Sequence, residues 1–272
     1  MTRILAIGAH PDDCECHCGA TAALWRRAGF DVKFLTVTDG SAGHYAMGRK
    51  ELAARRLEEA EAAAGIIGCQ WEVGPFVDGE LFATMAVREF IIRAIRTWKP
   101  DLVVTHRPCD YHPDHRYAST AVQDASYMLM VPNVCPDTPA LRTMPTIAYF
   151  NDFFQKPYPF QPDVVVDATE TMDIKVDMIA AHASQFYEWM PWVDGRENEV
   201  PDDAAERRRW LETTMWPERN RRFAHEFGRR LAKLYDEDTA ETCQFAEAFE
   251  WCEYGAPGDE EVRERFFPFV GG

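Results

Sequence analysis

A short apolar segment at residues 4–9 leads directly into His-Pro-Asp-Asp at residues 10–13. An apolar run of this length is typical of a strand buried on both faces of a parallel sheet. A second such segment, residues 102–105, is followed by Asp-Tyr-His-Pro-Asp-His at residues 110–115. Two buried strands that each end in imidazoles and carboxylates restrict the chain to folds that bring strand ends together.

Strand and helix patterns alternate through the first two thirds of the chain. Apolar segments bounded by turn residues predict strands at residues 3–9, 31–38, 70–77, 101–106, 145–151 and 163–167. Helical patterns occupy residues 12–29, 49–66 and 83–97, and a further helix opens at Pro113. Repeated βαβ units imply a parallel sheet covered on both faces. We predict an α/β fold, a Rossmann-like three-layer sandwich with a mostly parallel sheet of order 3-2-1-4-5 and a helical C-terminal extension.

The last third of the chain is less regular. Residues 131–144 and 187–204 are rich in Pro, Asp and Gly, which predicts long loops. Residues 204–236 are helical in pattern and rich in arginine, as expected of a solvated face or a subunit contact. The aromatic tail at residues 266–269 is a candidate contact with a neighbouring subunit, so a homo-oligomer is an open alternative.

The charge balance restricts the partners of the chain. The 272 residues include 45 acidic and 29 basic side chains, a net charge of −16. This balance opposes binding to nucleic acid or to an anionic membrane, and it favours a neutral or cationic ligand. No apolar run approaches the roughly 20 residues of a membrane span, and residues 1–3 lead straight into the first strand. We expect a cytoplasmic protein with a small-molecule substrate.

Eight cysteines are present, and three of them, Cys14, Cys16 and Cys18, surround His17. In a chain of this length without a secretion signal, reduced thiols are the expected state. On a helix only Cys14 and Cys18 share a face, so the three sulfurs do not converge on one metal ion. We therefore predict packed thiols in the first helix.

The two polar clusters provide the ligands of a catalytic zinc site. If the strand order is 3-2-1-4, the first and fourth strands are neighbours, and ligands bind at such strand ends in open α/β sheets. Catalytic zinc takes three protein ligands and keeps one position open. His10, Asp13 and His115 supply that set. Ferrous iron is the alternative metal.

The remaining polar residues of the clusters suit amide hydrolysis. Asp12 lies beside the predicted metal and is placed to remove a proton from water, as a general base. His112, three residues before His115, is placed to stabilise the oxyanion or to protonate the leaving amine. The sequence thus predicts metal-dependent hydrolysis of a non-peptide amide.

These motifs resemble the PIG-L or LmbE-like family of zinc-dependent N-acetylglucosaminyl deacetylases. The resemblance is carried by His-Pro-Asp-Asp at 10–13, Thr-Asp-Gly-Ser-Ala-Gly at 38–43, Arg56 with Glu59, Asp-Gly at 78–79, Lys-Pro-Asp at 99–101, His-Pro-Asp-His at 112–115, His-Ala-Ser-Gln at 182–185 and Phe-Ala-Glu-Ala-Phe at 245–249. It implies one domain over residues 1–272, in which residues 187–240 form a less family-like loop and helical insertion.

The resemblance also implies a substrate and its contacts. An N-acylated amino sugar or a conjugate of one is the expected substrate, and the roles of the two clusters are those given above. Arg56 corresponds to a substrate-pocket position, with pairing to Glu59 as an equal alternative. Asp39, Tyr111 and Trp189 are further candidate substrate contacts, the last through stacking on a sugar ring.

Three other classes of protein compete with this interpretation. A nucleotide-binding Rossmann enzyme lacks support because no Gly-rich fingerprint follows the first strand, where two aspartates would repel a phosphate. A metal-dependent phosphoesterase and a non-catalytic metal-binding sensor stay open as alternatives.

Overall fold

A seven-stranded sheet forms the centre of the computed structural model, which describes residues 1–271, Met215 by its backbone alone. The strands are β1 (Arg3–Gly8), β2 (Asp31–Thr38), β3 (Gln70–Phe76), β4 (Leu102–Thr105), β5 (Thr146–Phe150), β6 (Val164–Asp167) and β7 (Ala246–Trp251). Each strand from β1 to β6 falls within one residue or so of its predicted range, because the apolar segments are sharply bounded by Gly, Pro and Asp.

The strand order is β3-β2-β1-β4-β5-β7-β6. The first five strands in this order are parallel, and β7 is antiparallel to both β5 and β6. The predicted order 3-2-1-4-5 is present, but the sheet continues through β7 before it reaches β6. Sequence analysis did not assign β7 as a strand, because Glu247 and Glu250 interrupt its apolar pattern.

Eleven α-helices are found in the described chain. They are α1 (Asp13–Arg27), α2 (Arg49–Ile67), α3 (Met85–Trp98), α4 (Pro113–Ser126), α5 (Met172–Ala181), α6 (Met190–Val193), α7 (Ala204–Glu212), α8 (Met215–Glu226), α9 (Gly228–Leu234), α10 (Glu237–Thr242) and α11 (Glu260–Phe266). A π-helical turn at Ser184–Trp189 precedes α6, and 3-10 turns occur at Tyr127–Met130, Thr169–Thr171 and Glu197–Glu199.

The helices cover both faces of the sheet. Ile4 and Ala6 of β1 pack into a cluster that includes residues of α1, α2, α5, α8, α9 and α11. Leu5 and Ile7, which point the other way, pack into a second cluster with α3 and α4. This alternation is the result of the two-residue period of a strand, and it gives the predicted three-layer α/β sandwich.

Two predictions for the C-terminal third require correction. The segment at 187–204 is not all loop, because the π-helical turn runs into α6 and a 3-10 turn follows. The aromatic tail packs on its own chain: Phe266 and Phe267 are 1% and 0% exposed. Trp25 donates a hydrogen bond to the carbonyl oxygen of Phe266 at 2.7 Å and packs against the Phe267 ring. The tail therefore completes the core of this chain.

The cysteines of α1 are buried, unpaired thiols. Burial raises the pKa of Cys14, Cys16 and Cys18 well above the usual range of a thiol. Among residues 1–271, no trio of converging metal-binding atoms includes a cysteine. None of the helices in the described chain has the length and hydropathy needed to cross a bilayer.

Candidate metal and active site

The connection from β1 to α1 fixes the side chain of Asp13. One carboxylate oxygen of Asp13, Oδ2, accepts hydrogen bonds from the backbone amides of Ala9 at 2.8 Å and His10 at 2.7 Å. This fold of the chain requires a glycine at position 8, since a Cβ on Gly8 would lie 2.7 Å from the Cβ of Asp13. The tight turn therefore holds Asp13 directly beneath His10.

The second polar cluster lies next to the first because β4 pairs in parallel with β1. His115, in the first turn of α4, reaches across this pair of strands. Its Nε2 lies 3.2 Å from Nδ1 of His10 and 3.4 Å from Oδ1 of Asp13. Nδ1 of His10 lies 3.5 Å from Oδ2 of Asp13. The structure thus brings the three predicted metal ligands together.

The distances between these atoms are close to those between ligands of a tetrahedral metal ion. Bonds of about 2.0–2.1 Å at tetrahedral angles place ligand atoms about 3.3–3.4 Å apart. The two histidine nitrogens lie 3.2 Å apart, and their distances to Asp13 are 3.4 Å from His115 to Oδ1 and 3.5 Å from His10 to the other oxygen, Oδ2. Within residues 1–271, the groups of three donors that converge are His10 with His112 and His115, Asp13 with His106 and His115, and His10 with Asp78 and Asp114. Two imidazoles and one carboxylate are ligands suited to zinc or to ferrous iron. The donor set and its spacing are therefore compatible with the predicted metal.

Outer carboxylates orient both histidines. Nε2 of His10 lies 3.2 Å from Oδ1 of Asp78 and 3.4 Å from Oδ2 of Asp114. Nδ1 of His115 lies 3.1 Å from Oδ1 of Asp110. A carboxylate behind a metal-binding imidazole fixes its orientation and increases its basicity. Sequence analysis assigned no role to these three aspartates.

His106 is a further residue that sequence analysis missed. It follows β4 directly and is buried, and its Nε2 lies 3.1 Å from Oδ2 of Asp13. Its ring stacks on His115 with centroids 4.1 Å apart. Asp78 likewise follows the end of β3. Both residues therefore lie at the edge of the sheet where the strands β1, β3 and β4 end, a position that could have identified them.

Asp12 is held in an uncommon backbone conformation beside this cluster. Its φ is 141°, a value that costs energy for any residue with a side chain and that is concentrated at functional sites. Its Oδ2 pairs with Nη2 of Arg56 at 3.0 Å. Burial raises the pKa of Asp12 to about 6, and the Arg56 guanidinium limits the increase. A carboxylate with this pKa accepts a proton readily near neutral pH.

Arg56 is buried and contacts the polar turn rather than Glu59. Besides Asp12, its guanidinium donates hydrogen bonds to the carbonyl oxygens of Pro11 and Gly40. The suggested pairing of Arg56 with Glu59 is wrong. Glu59 instead accepts hydrogen bonds from its neighbour on α2, Arg55, and from Ser184.

His112 caps the N-terminus of α4, where its Nδ1 accepts a hydrogen bond from the backbone amide of Asp114 at 3.1 Å. In the neutral ring this contact places the proton on Nε2. Burial, together with the neighbouring His10 and His115, lowers the pKa of His112. The His112 ring lies edge-on to His10, with centroids 4.6 Å apart. In its neutral form, His112 therefore places an N–H donor next to the candidate metal ligands.

A cavity of about 960 Å³ opens over the cluster. Tyr111 lines the cavity and is 72% exposed, and Trp189 lines it beside Gly43. Asp39 is not among the lining residues of the described chain. Its Oδ1 accepts hydrogen bonds from the backbone amides of Ser41 and Asp78 at 3.0 and 3.1 Å. Asp39 thus shapes the two loops beneath the cavity rather than its surface.

Comparison with known proteins identifies the family. The PIG-L family, described as GlcNAc-PI de-N-acetylase, matches residues 5–126. The diacetylchitobiose deacetylase of Thermococcus kodakarensis is 33% identical over 200 residues, which are 71% of this chain and 74% of the relative. The chain belongs to the PIG-L family. The PIG-L segment contains both polar clusters, and membership makes the chain one of a family of de-N-acetylases, enzymes that hydrolyse an amide.

Solved structures show the same PIG-L fold. The N,N'-diacetylchitobiose deacetylase of Pyrococcus horikoshii, complexed with its inhibitor MPG, is 25% identical with a TM-score of 0.71, covering 93% of this chain and 84% of that protein. The 4-carboxy-2-hydroxymuconate hydratase GalB of Pseudomonas putida has a TM-score of 0.72 at 19% identity, covering 95% and 99% of the two chains. At that identity, GalB supports the fold alone.

Proposed function

We propose that this protein is a zinc-dependent hydrolase that removes the acetyl group from an N-acetylglucosamine-type substrate. The observation that carries the proposal is the close approach of His10, Asp13 and His115, with nitrogens and carboxylate oxygens 3.2–3.5 Å apart, beside the buried carboxylate of Asp12. The substrate class is supported by the diacetylchitobiose deacetylase named above, which is 33% identical. Ferrous iron is the alternative metal for the same ligands.

Nδ1 of His10, a carboxylate oxygen of Asp13 and Nε2 of His115 would hold the metal. Asp78, Asp114 and Asp110 would keep the two imidazoles in position. The chemistry that zinc supplies at such residues is to lower the pKa of a water molecule to about 7 and to polarise a carbonyl oxygen.

Asp12 would act as the general base. It takes a proton from the water whose oxygen bonds to the amide carbon, and it returns that proton to the nitrogen as the C–N bond breaks. The products are acetate and a free amine, so one water molecule is consumed in each cycle. The pairing with Arg56 at 3.0 Å keeps the carboxylate in place throughout.

His112 would stabilise the negative charge that develops on the carbonyl oxygen. Its Nδ1 is occupied as an acceptor for the Asp114 amide, so its Nε2–H is the group available for donation. A preorganised donor of this kind typically contributes about 10²–10³ in rate. Donation from the neutral ring also keeps the cap of α4 intact during the reaction.

The cavity wall would bind the sugar. Tyr111 and Trp189 present aromatic rings to the cavity, and Trp189 stacks on Trp192 with centroids 5.4 Å apart. Flat aromatic surfaces suit the apolar faces of a pyranose ring. The proposed roles of Tyr111 and Trp189 rest on this placement, whereas Arg56 and Asp39 would act through Asp12 and the loops.

The insertion at 187–240 would belong to the same domain as the rest of residues 1–272. Its residues Trp189, Met190 and Arg219 line the cavity together with the two polar clusters. This part of the cavity wall comes from the segment that least resembles the family. It would therefore adapt the shared hydrolytic centre to the substrate of this protein.

Acetate release from a panel of N-acetylglucosamine conjugates, measured with zinc-loaded protein, tests the function. We expect turnover that is lost on chelation and restored by zinc. Asp12→Asn should lower kcat by about 10²–10⁴ while zinc content is retained, because the base is lost and the ligands are not. Asp124→Asn, an exposed change on α4, is the matched control and should keep the wild-type rate.

Other results would contradict the proposal. Release of phosphate from esters without release of acetate would favour a phosphoesterase. Stoichiometric zinc without turnover of any N-acetyl compound would favour a metal-binding sensor. Unchanged turnover in Asp12→Asn would remove Asp12 from the mechanism.

A further inference from the structure

Arg219 on α8 lines the cavity with a guanidinium that is only partly used. Its Nη2 donates to Nδ1 of His17 at 3.2 Å and to the carbonyl oxygen of Asn151 at 3.1 Å. Its Nη1 and Nε donate to no residue that the structure describes. None of the carboxylates within residues 1–271 forms an ion pair with Arg219.

Three buried arginines of the described chain use their guanidinium groups for contacts within the protein, whereas Arg219 is half-buried and has no carboxylate partner. Arg56 pairs with Asp12, and Arg107 binds both oxygens of Asp152 at 2.8 and 3.0 Å. Arg96 donates to backbone carbonyl oxygens on every nitrogen of its guanidinium. A guanidinium offers five N–H donors, so Arg219 retains donors for a further partner in the cavity.

Aromatic rings hold Arg219 in place. Its guanidinium carbon lies 5.4 Å from the ring centroid of Trp216 and 5.7 Å from those of Phe153 and Phe223. Cation–π contacts of this kind fix the side chain without neutralising its charge. A group held in advance in this way loses little conformational entropy on binding a partner.

Most of the acidic residues that line the same cavity are paired with other side chains; Asp194 also lines it and forms no ion pair with a residue that the structure describes. Asp152 is bound by Arg107, Asp110 lies beside His115, and Glu218 pairs with Arg221 at 2.7 Å. The charge of Arg219 therefore remains available, although the chain as a whole carries a net charge of −16. A second arginine, Arg222, also lines the cavity.

Two rings separate Arg219 from the proposed metal ligands. His17, its hydrogen-bond partner, packs edge-on against His106 with centroids 5.3 Å apart, and His106 contacts Asp13. A substrate with its acetamido group at the metal ligands would therefore meet Arg219 with another part of its structure.

We propose that Arg219 binds an anionic group, a carboxylate or a phosphate, on the part of the substrate remote from the acetamido group. The inference rests on the proposed function, and it narrows the substrate to N-acetyl amino sugars conjugated to an acid. A planar guanidinium binds either anion through paired, charge-assisted hydrogen bonds. One such group at a single arginine is compatible with a protein whose overall charge repels polyanions.

A matched set of substrates tests the proposal. The set is an N-acetylglucosaminide with a carboxylate on its aglycone, the same compound with a carboxamide, and one with a phosphate. Hydrogen bonds to charged groups are worth about 1.5–3 kcal/mol, so we expect the wild type to prefer the better anion over the carboxamide by about 10- to 100-fold in kcat/KM. The preference should lie mainly in KM, because Arg219 is remote from the reacting atoms.

Variants then assign the preference to Arg219. Arg219→Gln should reduce the ratio of kcat/KM for the anionic substrate to kcat/KM for the carboxamide to nearly one. Arg219→Lys should retain part of the preference because the positive charge remains. Arg229→Gln, an exposed change on α9 outside the cavity lining, should keep the wild-type ratio and rate. A thermal unfolding curve for each variant checks that α8 stays folded.

Calorimetric binding to Asp12→Asn protein separates this inference from the proposed function. Tighter binding of the anionic compound than of the carboxamide, lost in Asp12→Asn/Arg219→Gln, would support anion recognition even if no compound is hydrolysed. Hydrolysis of the carboxamide as efficient as that of both anions, or an Arg219→Gln ratio equal to that of the wild type, would overturn the inference while leaving the proposed function intact.

Discussion

Two buried ionic clusters in this protein differ in how completely their charges are matched. Lys175 and Glu247 are both 0% exposed and pair at 2.7 Å. Lys175 also donates to the carbonyl oxygen of Cys16, and Glu247 accepts from Ala20 and Thr21. The cluster at the strand ends instead gathers Asp13, Asp78, Asp110 and Asp114 around histidines.

The difference separates a structural use of buried charge from a functional one. The Lys175–Glu247 pair joins α5 to β7, and both side chains are fully buried, so no ligand can reach them. The pair therefore contributes to the stability and uniqueness of the fold. The histidine–aspartate cluster concentrates negative charge and opens into a cavity. Such a cluster favours a cation, and it contributes binding energy only when one is present.

Lys175→Met breaks the closed cluster and gives the largest effect that we expect. The free energy of unfolding should fall by about 3–5 kcal/mol, because Glu247 is left as a buried charge without its partner. Lys175→Met/Glu247→Gln should recover most of the loss in a denaturant titration. Lys233→Met, an exposed change on α9, is the control. A loss no greater than that of the control would show that the pair contributes little.

Zinc should stabilise the open cluster and leave the closed one untouched. At 100 times its Kd, zinc should raise the free energy of unfolding by about 2.7 kcal/mol in the wild type. His115→Ala should abolish this increment. Lys175→Met should retain it, although its free energy of unfolding without zinc is lower than that of the wild type. An equal increment in His115→Ala, measured by thermal unfolding with and without zinc, would place the metal elsewhere.

Asp110→Asn probes the support of the open cluster. The change keeps the shape of the side chain 3.1 Å from Nδ1 of His115 but removes its charge. Zinc affinity should fall by about 10- to 100-fold, as is typical when such a partner is replaced. Competition with a chromogenic chelator measures the affinity. Asp124→Asn should leave it unchanged, and equal affinities of the two variants would exclude a supporting role for Asp110.

Asp39 should give the smallest effects. Asp39→Asn retains Oδ1 as the acceptor for the amides of Ser41 and Asp78 and should be almost neutral. Asp39→Ala should cost about 1–3 kcal/mol in unfolding, because two amides lose their partner. If Asp39→Asn instead raises KM with unchanged stability, Asp39 touches the substrate, as sequence analysis predicted.

Local sequence patterns were sufficient to predict the strands β1 to β6, and an assumed strand order then predicted that the two polar clusters meet. Each strand is a short apolar run with clear boundaries. The βαβ connections predict that the strands are parallel, and the pairing of the first with the fourth was an assumption about strand order that the structure bears out. Once these strands are neighbours, His10 and His115 have to lie close together. The prediction therefore needed only the topology and the residues next to each strand end.

Contacts between distant segments could not be predicted in the same way. The strand β7 contains a buried Glu247 that is acceptable only because Lys175 lies opposite, and nothing near Glu247 in the sequence indicates this. His17 and Arg219 meet only because α8 folds over the cavity. Asp39 lies in a family motif, but its hydrogen bonds to a neighbouring loop emerge only in three dimensions.

The position of β7 between β5 and β6 affects how the chain can fold during its synthesis. Within the described sheet, β6 pairs with β7 alone, so it has no strand partner until the far C-terminal part of the chain has emerged. Lys175 likewise lacks its counterion until Glu247 arrives. A buried ammonium without a counterion penalises every partly folded state. The ion pair thus couples the folding of α5 to the arrival of β7, which favours an all-or-none transition.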